Sequence, residues 1–544
     1  MKNRKINYIL LIAINLLSHF FQQANAEFIL MKDGSILEVD ITLDLFNNAF
    51  TYFKFKDGSS KQIPEKDIEK IFQDNDFKIK RTISKKDGTI IEGYIVYEGW
   101  FRYLIRKDLA IHEEIEIAKA DIKSMDPPPV KNEMRQDIIA KKKEGWYVTG
   151  VPVIAYSTDN GFRGGVRAYL FYNGNKNDEY FNNTPYIFQT HAFFAASTGG
   201  LIEWRLNFDW RHVGGSLLRI KANVEYEESK NANYYGVGSK STDMFQDVNG
   251  VYYKTYTQYM DFLCRNNYQY YKYNKYEYQM PKFSIDFFGD WSFPIKPLLG
   301  YEFKWTEIKT WDNRAFLIND NTVANPASTT LLTRENPLGI NGGITSYIRA
   351  GVAFDTRDFA PDPHEGFYID YAFEGASYAF GSNYDYIRNT FGFRFYTTWF
   401  DALTLALRLG YVASFYDMPF YEIGIFGFLF ERQAGLGGER TIRGYQQWRF
   451  IGKGMTLANL ELRYKFIDII LFNQRLSYKL VAFVDAGNAY DTPAEAFTKP
   501  RFEDYKLAYG FGGLLTWNQA TVMRMYVGFS PEDINFAVNF SHVF

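Results

Sequence analysis

From Trp146 to Phe544 the chain alternates apolar and polar side chains with a period of two. In KLVAFVDAGNAY (479–490), Leu480, Ala482, Val484 and Ala486 share one face, and Val481, Phe483, Asp485 and Gly487 the other. In YEFKWTEIK, Tyr301, Phe303 and Trp305 oppose Glu302, Lys304 and Thr306; in SYIRAGVAFDTRD, Ile348, Ala350, Val352 and Phe354 oppose Arg349, Gly351 and Asp355. Such segments read as β-strands with one face for lipid and one for a polar interior. The pattern predicts sixteen strands, starting near residues 146, 161, 187, 200, 216, 270, 296, 344, 366, 385, 402, 455, 477, 503, 521 and 535. An even number lets the sheet close on itself, which removes its edges. If the first strand starts in the periplasm, connections after even strands should be short. FPIKP (293–297), FDA (400–402) and NQA (518–520) obey, whereas NGNKNDEYFNNTPY (173–186) is too long: either an early strand is misplaced or this turn is elaborated. Connections after odd strands should be longer, as 230–268, 310–343 and 417–454 are.

Upstream the pattern changes to a repeat. MKDGSILEVDI (31–41) matches KKDGTIIEGYI (85–95), and KDIEKI (66–71) matches ADIKSM (120–125), at one constant offset. Each copy opens on an Asp-Gly-Ser/Thr hairpin turn, continues in alternating strands and closes on Asp-Ile-x-x-Ile/Met. The expectation is two small, strongly bent β-modules similar to Sm-type barrels, at 27–79 and 80–126. A proline-stiffened link at 127–145 then leads to the barrel at 146–544. Before them, MKNRK, an apolar run and Ala24-Asn25-Ala26 make a secretory signal peptide over 1–26, cleaved after Ala26. The fold class is therefore all-β: a sixteen-stranded transmembrane β-barrel preceded by two periplasmic β-modules, in the outer membrane of a bacterial cell.

Composition sharpens this. Aromatic residues make up 19 % of the chain, with 42 Tyr and 50 Phe, as suits a barrel with aromatic girdles. Its 61 basic and 63 acidic residues nearly balance, so no nucleic-acid footprint is present. A single cysteine, Cys264, excludes an intramolecular disulfide. No apolar run reaches the ~18 residues of a spanning helix beyond the signal, so the chain crosses the membrane as strands. The chain reads as no enzyme: it lacks a G-x-S-x-G elbow, and its six histidines lack metal-ligand spacing. Neither Asp-Gly turn has the alternating carboxylates of a calcium loop. No cofactor or metal is implied.

One segment stands apart. GLGGERTIRGYQQWRF (435–450) is basic and glycine-loosened, with Arg432 just upstream and Arg440, Arg443 and Arg449 inside, and it lies between two apolar strands. Its stem can fold back into the lumen. Alternation places Asn459, Glu461 and Arg463 on the lumen face of the twelfth strand and Asp485 on that of the thirteenth.

ERTIRGY resembles the arginine-glycine-aromatic loop motif (here Arg443, Gly444 and Tyr445) of the BamA/TamA superfamily, also called the bacterial surface-antigen family of outer-membrane barrels. FDTRDFAPDPHEGFY (354–368), with Asp355, Arg357, Asp358 and Gly366, is similar to that family's periplasmic turn. LANLELRY (457–464) and FVDAGNAY (483–490) resemble its next two strand motifs, and NYYGVG (233–238) and GVPVIAYSTDNGFRGGV (150–166) its POTRA-less members. Phe536, Val538, Phe540 and Phe544 fall at alternate positions, similar to a terminal strand signal read by assembly machinery, with Phe540 and Phe544 as its aromatics and His542 breaking the face. The resemblance covers roughly the last 400 residues. It implies that Arg443 meets Asp485 with Glu461 close by, tethering the loop inside the barrel; a guanidinium fork suits two carboxylates.

Two function classes follow. In the first, which the motifs favour by resemblance, the protein assists assembly or translocation of proteins (or lipid) at the outer membrane. In the second it is a passive pore or a structural, surface-exposed barrel without a client, which the absence of POTRA units favours. The expected partners are outer-membrane lipid and, through residues 27–125, unfolded polypeptide clients or periplasmic chaperones, with no nucleic acid.

Overall fold

A computed structural model describes residues 27–126 and 142–544, apart from 34, 43–49, 56–59, 65–67, 73–78, 99–101, 110 and 112 in the first part. In the second part the breaks are 177–180, 182–183, 290–293, 319–320, 325–329, 359, 400–401, 472–473, 499–501, 518–520 and 541–542. The signal segment with Ala24 and Ala26, and most of the 127–145 link, lie outside the described residues.

The sixteen strands form one closed antiparallel barrel. In order they are Trp146–Ser157, Gly161–Tyr172, Phe188–Ser197, Leu201–Trp210, Leu218–Asn233, Lys275–Gly289, Ile295–Thr310, Gly343–Asp355, Gly366–Ala376, Tyr386–Trp399, Leu403–Tyr416, Gly454–Leu471, Gln474–Tyr490, Lys506–Trp517, Thr521–Phe529 and Ile534–Phe540. Alternation sets what each face meets. On the seventh strand Phe303 and Trp305 are exposed to the lipid side while Glu302, Lys304 and Thr306 are buried inside; on the thirteenth Leu480 and Val484 face out, Val481, Phe483 and Asp485 in. No described helix is long and apolar enough to cross a membrane. The barrel strands pair their backbone groups between neighbours, which is what a spanning strand requires.

Connection lengths obey the expected rule at the long outer connections 234–274, 311–342 and 417–453 and depart from it at several others, among them the outer turn 530–533 and the periplasmic connection 356–365. The outer connections at 158–160 and 198–200 are three-residue turns, and the long stretch 173–187 is a periplasmic connection. That stretch receives the chain entering the barrel: Lys142 Nζ donates to the carbonyls of Phe181 (2.7 Å) and Thr184 (2.8 Å), and Asn173 Nδ2 to that of Lys143 (2.7 Å). There the Lys142 side chain satisfies two backbone carbonyls of the connection, and Asn173 satisfies one of the entering chain. The second alternative, an elaborated turn, is the one observed.

The two N-terminal repeats form two five-stranded sheets of the same topology, in which the first strand pairs with both the second and the fifth. In the first repeat Glu27–Met31 lies between Ile36–Thr42 and Ile68–Phe72; in the second Arg81–Lys85 lies between Ile90–Glu98 and Ile122–Asp126. Both opening turns are closed by their aspartate. Asp33 Oδ1 accepts from Ser35 N at 2.9 Å, and Asp87 Oδ1 from Thr89 N at 2.8 Å. The Thr89 hydrogen bonds, helped by Lys85, hold the Asp87 carboxyl at about 2. Ile83, Ile95, Tyr103, Ile105 and Ile117 make the core of the second repeat.

Candidate functional site

The outer connection between the eleventh and twelfth strands, 417–453, folds inward. It descends through a helical turn, Phe420–Ile423, and a hairpin of Ile425–Gly427 with Arg432–Ala434. Phe426, Phe428, Leu436, Ile442, Tyr445 and Phe450 then pack against Val412, Met455, Leu457, Ala489 and Ala508 of the wall. Burying that many apolar side chains, at ~25 cal/mol per Å² of apolar surface, drives the loop out of water.

Charged side chains fix its position. Arg443 Nε and Nη2 donate to Asp485 Oδ2 and Oδ1, both at 2.7 Å, and Nη1 donates to Glu461 Oε1 at 2.5 Å. Its backbone N–H also donates to Asp485 Oδ2 at 3.0 Å, and the guanidinium lies over the Phe483 ring, 3.5 Å from its centre. All three charged groups are at most 3 % exposed. Sequence reasoning thus named three residues that the fold brings together. Gly444 follows with φ +104°, and a Cβ there would come within 2.9 Å of the Phe529 backbone. Only glycine permits that approach between loop apex and fifteenth strand. Tyr445 is buried, its ring 5.1 Å from Phe450 and its hydroxyl donating to the Leu507 carbonyl at 3.3 Å.

A second anchor went unseen in the sequence. Arg388 Nε donates to Glu374 Oε2 at 2.5 Å and its Nη1 to the Glu422 carbonyl at 2.7 Å. Arg432 Nη1 meets Glu302 Oε1 at 2.9 Å, and Lys304 pairs with Glu422. The inward-facing polar positions of strands seven, nine and ten are what receive the loop. Alternation revealed that these positions were polar, not what they would touch.

The next residues of the motif reach the seam where the barrel closes. Gln446 Nε2 donates to Asp533 Oδ2 at 2.5 Å, and Ser530 Oγ to the Gly444 carbonyl at 2.7 Å, both in the turn between the last two strands. Gln447 N donates to Asp159 Oδ1 at 2.8 Å, and Asn160 Nδ2 to Gln447 Oε1 at 3.1 Å, in the turn between the first two. Arg449 grips Glu532 through Nε at 2.8 Å and Nη2 at 2.9 Å. The loop therefore clamps the outer turns on both sides of the seam. Burial pushes the Asp159 carboxyl up to about 6, only partly opposed by the Gln447 N–H; burial likewise raises Glu532 and Asp533.

The seam itself is short. The first and second strands pair over their whole length, but the first and last pair only at Tyr156 with Val538 and Ser157 with Ala537. Thr158 extends this contact by one position: its N–H donates to the Phe536 carbonyl at 3.1 Å, and Phe536 N donates to its Oγ1 at 2.9 Å. Residues 146–155 have no described partner on that edge. Backbone groups of a regular strand point to alternate sides, so Pro152 stands where an N–H would face the seam, a position that weakens pairing.

The remaining candidates divide. In the periplasmic turn, Asp355 takes the Arg357 fork at 2.9 Å through Nε and Nη2, and Asp358 Oδ1 accepts from the backbone of His364 and Glu365. Gly366, at φ +114°, leaves room for the Arg357 backbone. Nearby Asp362 crosses the mouth to Lys479 Nζ at 2.6 Å. At the C-terminal end Phe536, Val538 and Phe540 share the outward face of the last strand, but Phe544 does not continue it. The strand ends at Phe540, and Phe544 lies buried inside the barrel with Tyr396, Ala406 and Val543. Arg408, stacked 4.9 Å from that ring, donates to the Val543 carbonyl at 3.3 Å. Among the described residues no histidine, cysteine or carboxylate grouping is placed to hold a metal ion.

The profile of the Omp85 superfamily domain matches residues 213–529, more than half of the chain, and a domain of unknown function (DUF5982) matches 129–187. Among solved structures, BamA from Haemophilus ducreyi lacking POTRA domains 1-3 is similar at 12 % identity, over 74 % of this chain and 70 % of that one, with a TM-score of 0.43. CdiB from Escherichia coli (9 % identity, TM-score 0.43) and CdiB from Acinetobacter baumannii (11 %, 0.38) also match over 74 % of this chain. The matches span 64 % and 60 % of those two chains, less than two thirds of either. No curated protein matches. The domain match, on a closed barrel of sixteen strands, establishes that this chain belongs to the Omp85 superfamily of outer-membrane barrel proteins.

Proposed function

We propose that the protein assists the assembly or translocation of polypeptides at the outer membrane, with the free edge of the first barrel strand receiving an extended client segment. The observation that carries this reading is the two-pair seam. Within a bilayer each unpaired backbone N–H or C=O costs several kcal/mol, and lipid offers no partner. An edge running from Trp146 to Ala155 is therefore an unmet demand for a strand, and strand addition by an extended peptide meets it. The clamp of Gln446 and Gln447 on Asp533 and Asp159 gives the seam a fastener at its outer end, so release of the loop and opening of the edge are coupled.

The pore reading fares less well. A passive channel needs a continuous polar path, and the lumen here is occupied by residues 417–453 with their buried apolar cluster. Client capture by the N-terminal repeats is retained as part of the proposal and assigned to sheet edges, which in the second repeat are Glu114–Ala118 and Ile122–Asp126. The test is depletion of the protein followed by a census of the outer-membrane proteome, together with photo-crosslinkers at Val148, Ile154 and Glu116. Loss of particular outer-membrane proteins and polypeptide adducts at these sites support the proposal. An unchanged proteome with no adducts rejects it.

A further inference from the structure

Thr158 N–H bonds the Phe536 carbonyl across the seam. Backbone groups alternate sides along a strand, so the even-numbered residues of the first and last strands face one another there. Tyr156 with Val538 is such a position, and the next in register is Ile154 with Phe540, a pair that is not formed. The Phe540 N–H donates instead to the side chain of its own neighbour, Asn539 Oδ1, at 2.8 Å. A local side-chain acceptor of this kind competes with a ladder bond for the same donor. It leaves Phe540 with no unmet N–H to draw it towards the Ile154 carbonyl.

The Asn539 amide is held in this orientation from the loop. Its Nδ2 donates to both carboxylate oxygens of Glu439, at 2.7 and 2.9 Å. Its oxygen, not its nitrogen, is therefore the atom presented to the Phe540 N–H. Glu439 belongs to the inward loop, just before Arg443, and lies 3.6 Å from Arg524 Nη2 and 3.9 Å from Arg440 Nε. Arg524 stands directly across from Asn539 on the fifteenth strand. The opposite edge adds little reward for further zipping. After Ile154, the next residue facing the seam is Pro152, which can accept a bond and has none to give.

We propose that Asn539, oriented by Glu439, is the stop that ends the seam and so sets where the free edge of the first strand begins. It is a positioning residue: it acts by withholding the Phe540 N–H from Ile154. The loop then serves the seam twice. Gln446 and Gln447 fasten its outer turns, and Glu439 keeps the stretch below from zipping. That the free edge receives a client rests on the function proposed above; the stop itself does not.

Ile154→Cys with Phe540→Cys, in the full-length chain carrying Cys264→Ala, reads the stop. Once zipped, such a pair has its Cα atoms about 5.5 Å apart, within the reach of a disulfide. Under mild oxidation this crosslink should form at least tenfold more slowly than one between Ser157→Cys and Ala537→Cys. Asn539→Leu should speed it at least fivefold. Glu439→Ala, which frees the amide to turn, should fall between, and it tests the same stop if Asn539→Leu does not form the compact unboiled band. Without added cysteines, Asn539→Leu should slow hydrogen exchange of the Ile154 amide at least threefold. In cells, Asn539→Leu should cut client adducts of a photo-crosslinker at Ile154 at least fivefold and spare those at Val148. No adducts at either site in the unaltered protein would reject the client, while the disulfide rates still decide the stop. Equal rates for the two cysteine pairs, or no acceleration in Asn539→Leu, would overturn the proposal. Acceleration by Phe544→Ala and not by Asn539→Leu would overturn it too, by assigning the stop to the buried C-terminal ring.

Discussion

Arg443→Ala should release the inward loop. The guanidinium makes three side-chain hydrogen bonds to two carboxylates, all at most 3 % exposed, so solvent screens little of the interaction. An exposed pair of this kind would contribute at most ~1 kcal/mol, whereas orphaning a buried partner costs ~3–5 kcal/mol. The lower end applies. Asp485 would keep Asn459 Nδ2 at 2.7 Å and the backbone N–H of residue 443, and Glu461 would keep Arg463. About 3 kcal/mol corresponds to roughly a hundredfold or more in the population of the released loop. The assay is protease cleavage within 435–450 on intact cells, under conditions where cleavage reports the open population. Arg443→Lys should fall between, since an ammonium keeps the charge but cannot make the two-point contact. Combining Arg443→Met with Asp485→Asn should recover part of the loss, because neither partner is then left charged and alone. Rapid cleavage in the unaltered protein, or a change under threefold in Arg443→Ala, would refute the tether.

Three further outcomes follow from the same geometry. Gly444→Ala places a Cβ within 2.9–3.1 Å of the Phe529 backbone at a positive φ, a strain of ~1–3 kcal/mol, and should raise loop cleavage less than Arg443→Ala does. Asp159 titrates near 6 when folded and near 3.8 otherwise; its neutral form favours the fold, so the clamp should weaken as pH rises from about 4 through about 6 and then level off. Hydrogen exchange of loop amides, corrected for intrinsic rates, reads this; Asp159→Asn should flatten the slope, and an unchanged slope would remove Asp159 as its cause. Phe544→Ala should lower the temperature at which the compact, unboiled gel band is lost, with ~3 kcal/mol at stake for a buried ring. Phe540→Ala, on the outward face, should lower it less, and equal effects would contradict the inward placement of Phe544.

Strand alternation made the barrel legible because each strand has only two faces and the solvents on them differ. The largest displacement among the sixteen starts is at the sixth strand, expected near 270 and found at Lys275, where the Tyr-rich connection continues the apolar signal past the loop. The Arg443–Asp485–Glu461 contact was legible because a motif named the loop and alternation named the wall. The clamp on the seam was not. Gln447 and Asp159 are 288 residues apart, and nothing local in either turn signals the other. Phe544 misled for a related reason: period two continues in the letters after the strand has ended at Phe540, whereas the Phe544 ring is buried inside the barrel against Tyr396.

The central claim, that the seam must part for the protein to work, has a direct test. Ser157 and Ala537 face each other across it, within the reach of a disulfide in an antiparallel pair. Ser157→Cys with Ala537→Cys, in a Cys264→Ala background, should lock the barrel when oxidised. After depletion of the native protein, the locked form should fail to restore the affected outer-membrane proteins, and reduction should restore them. Full restoration by the oxidised, crosslinked form would contradict the account.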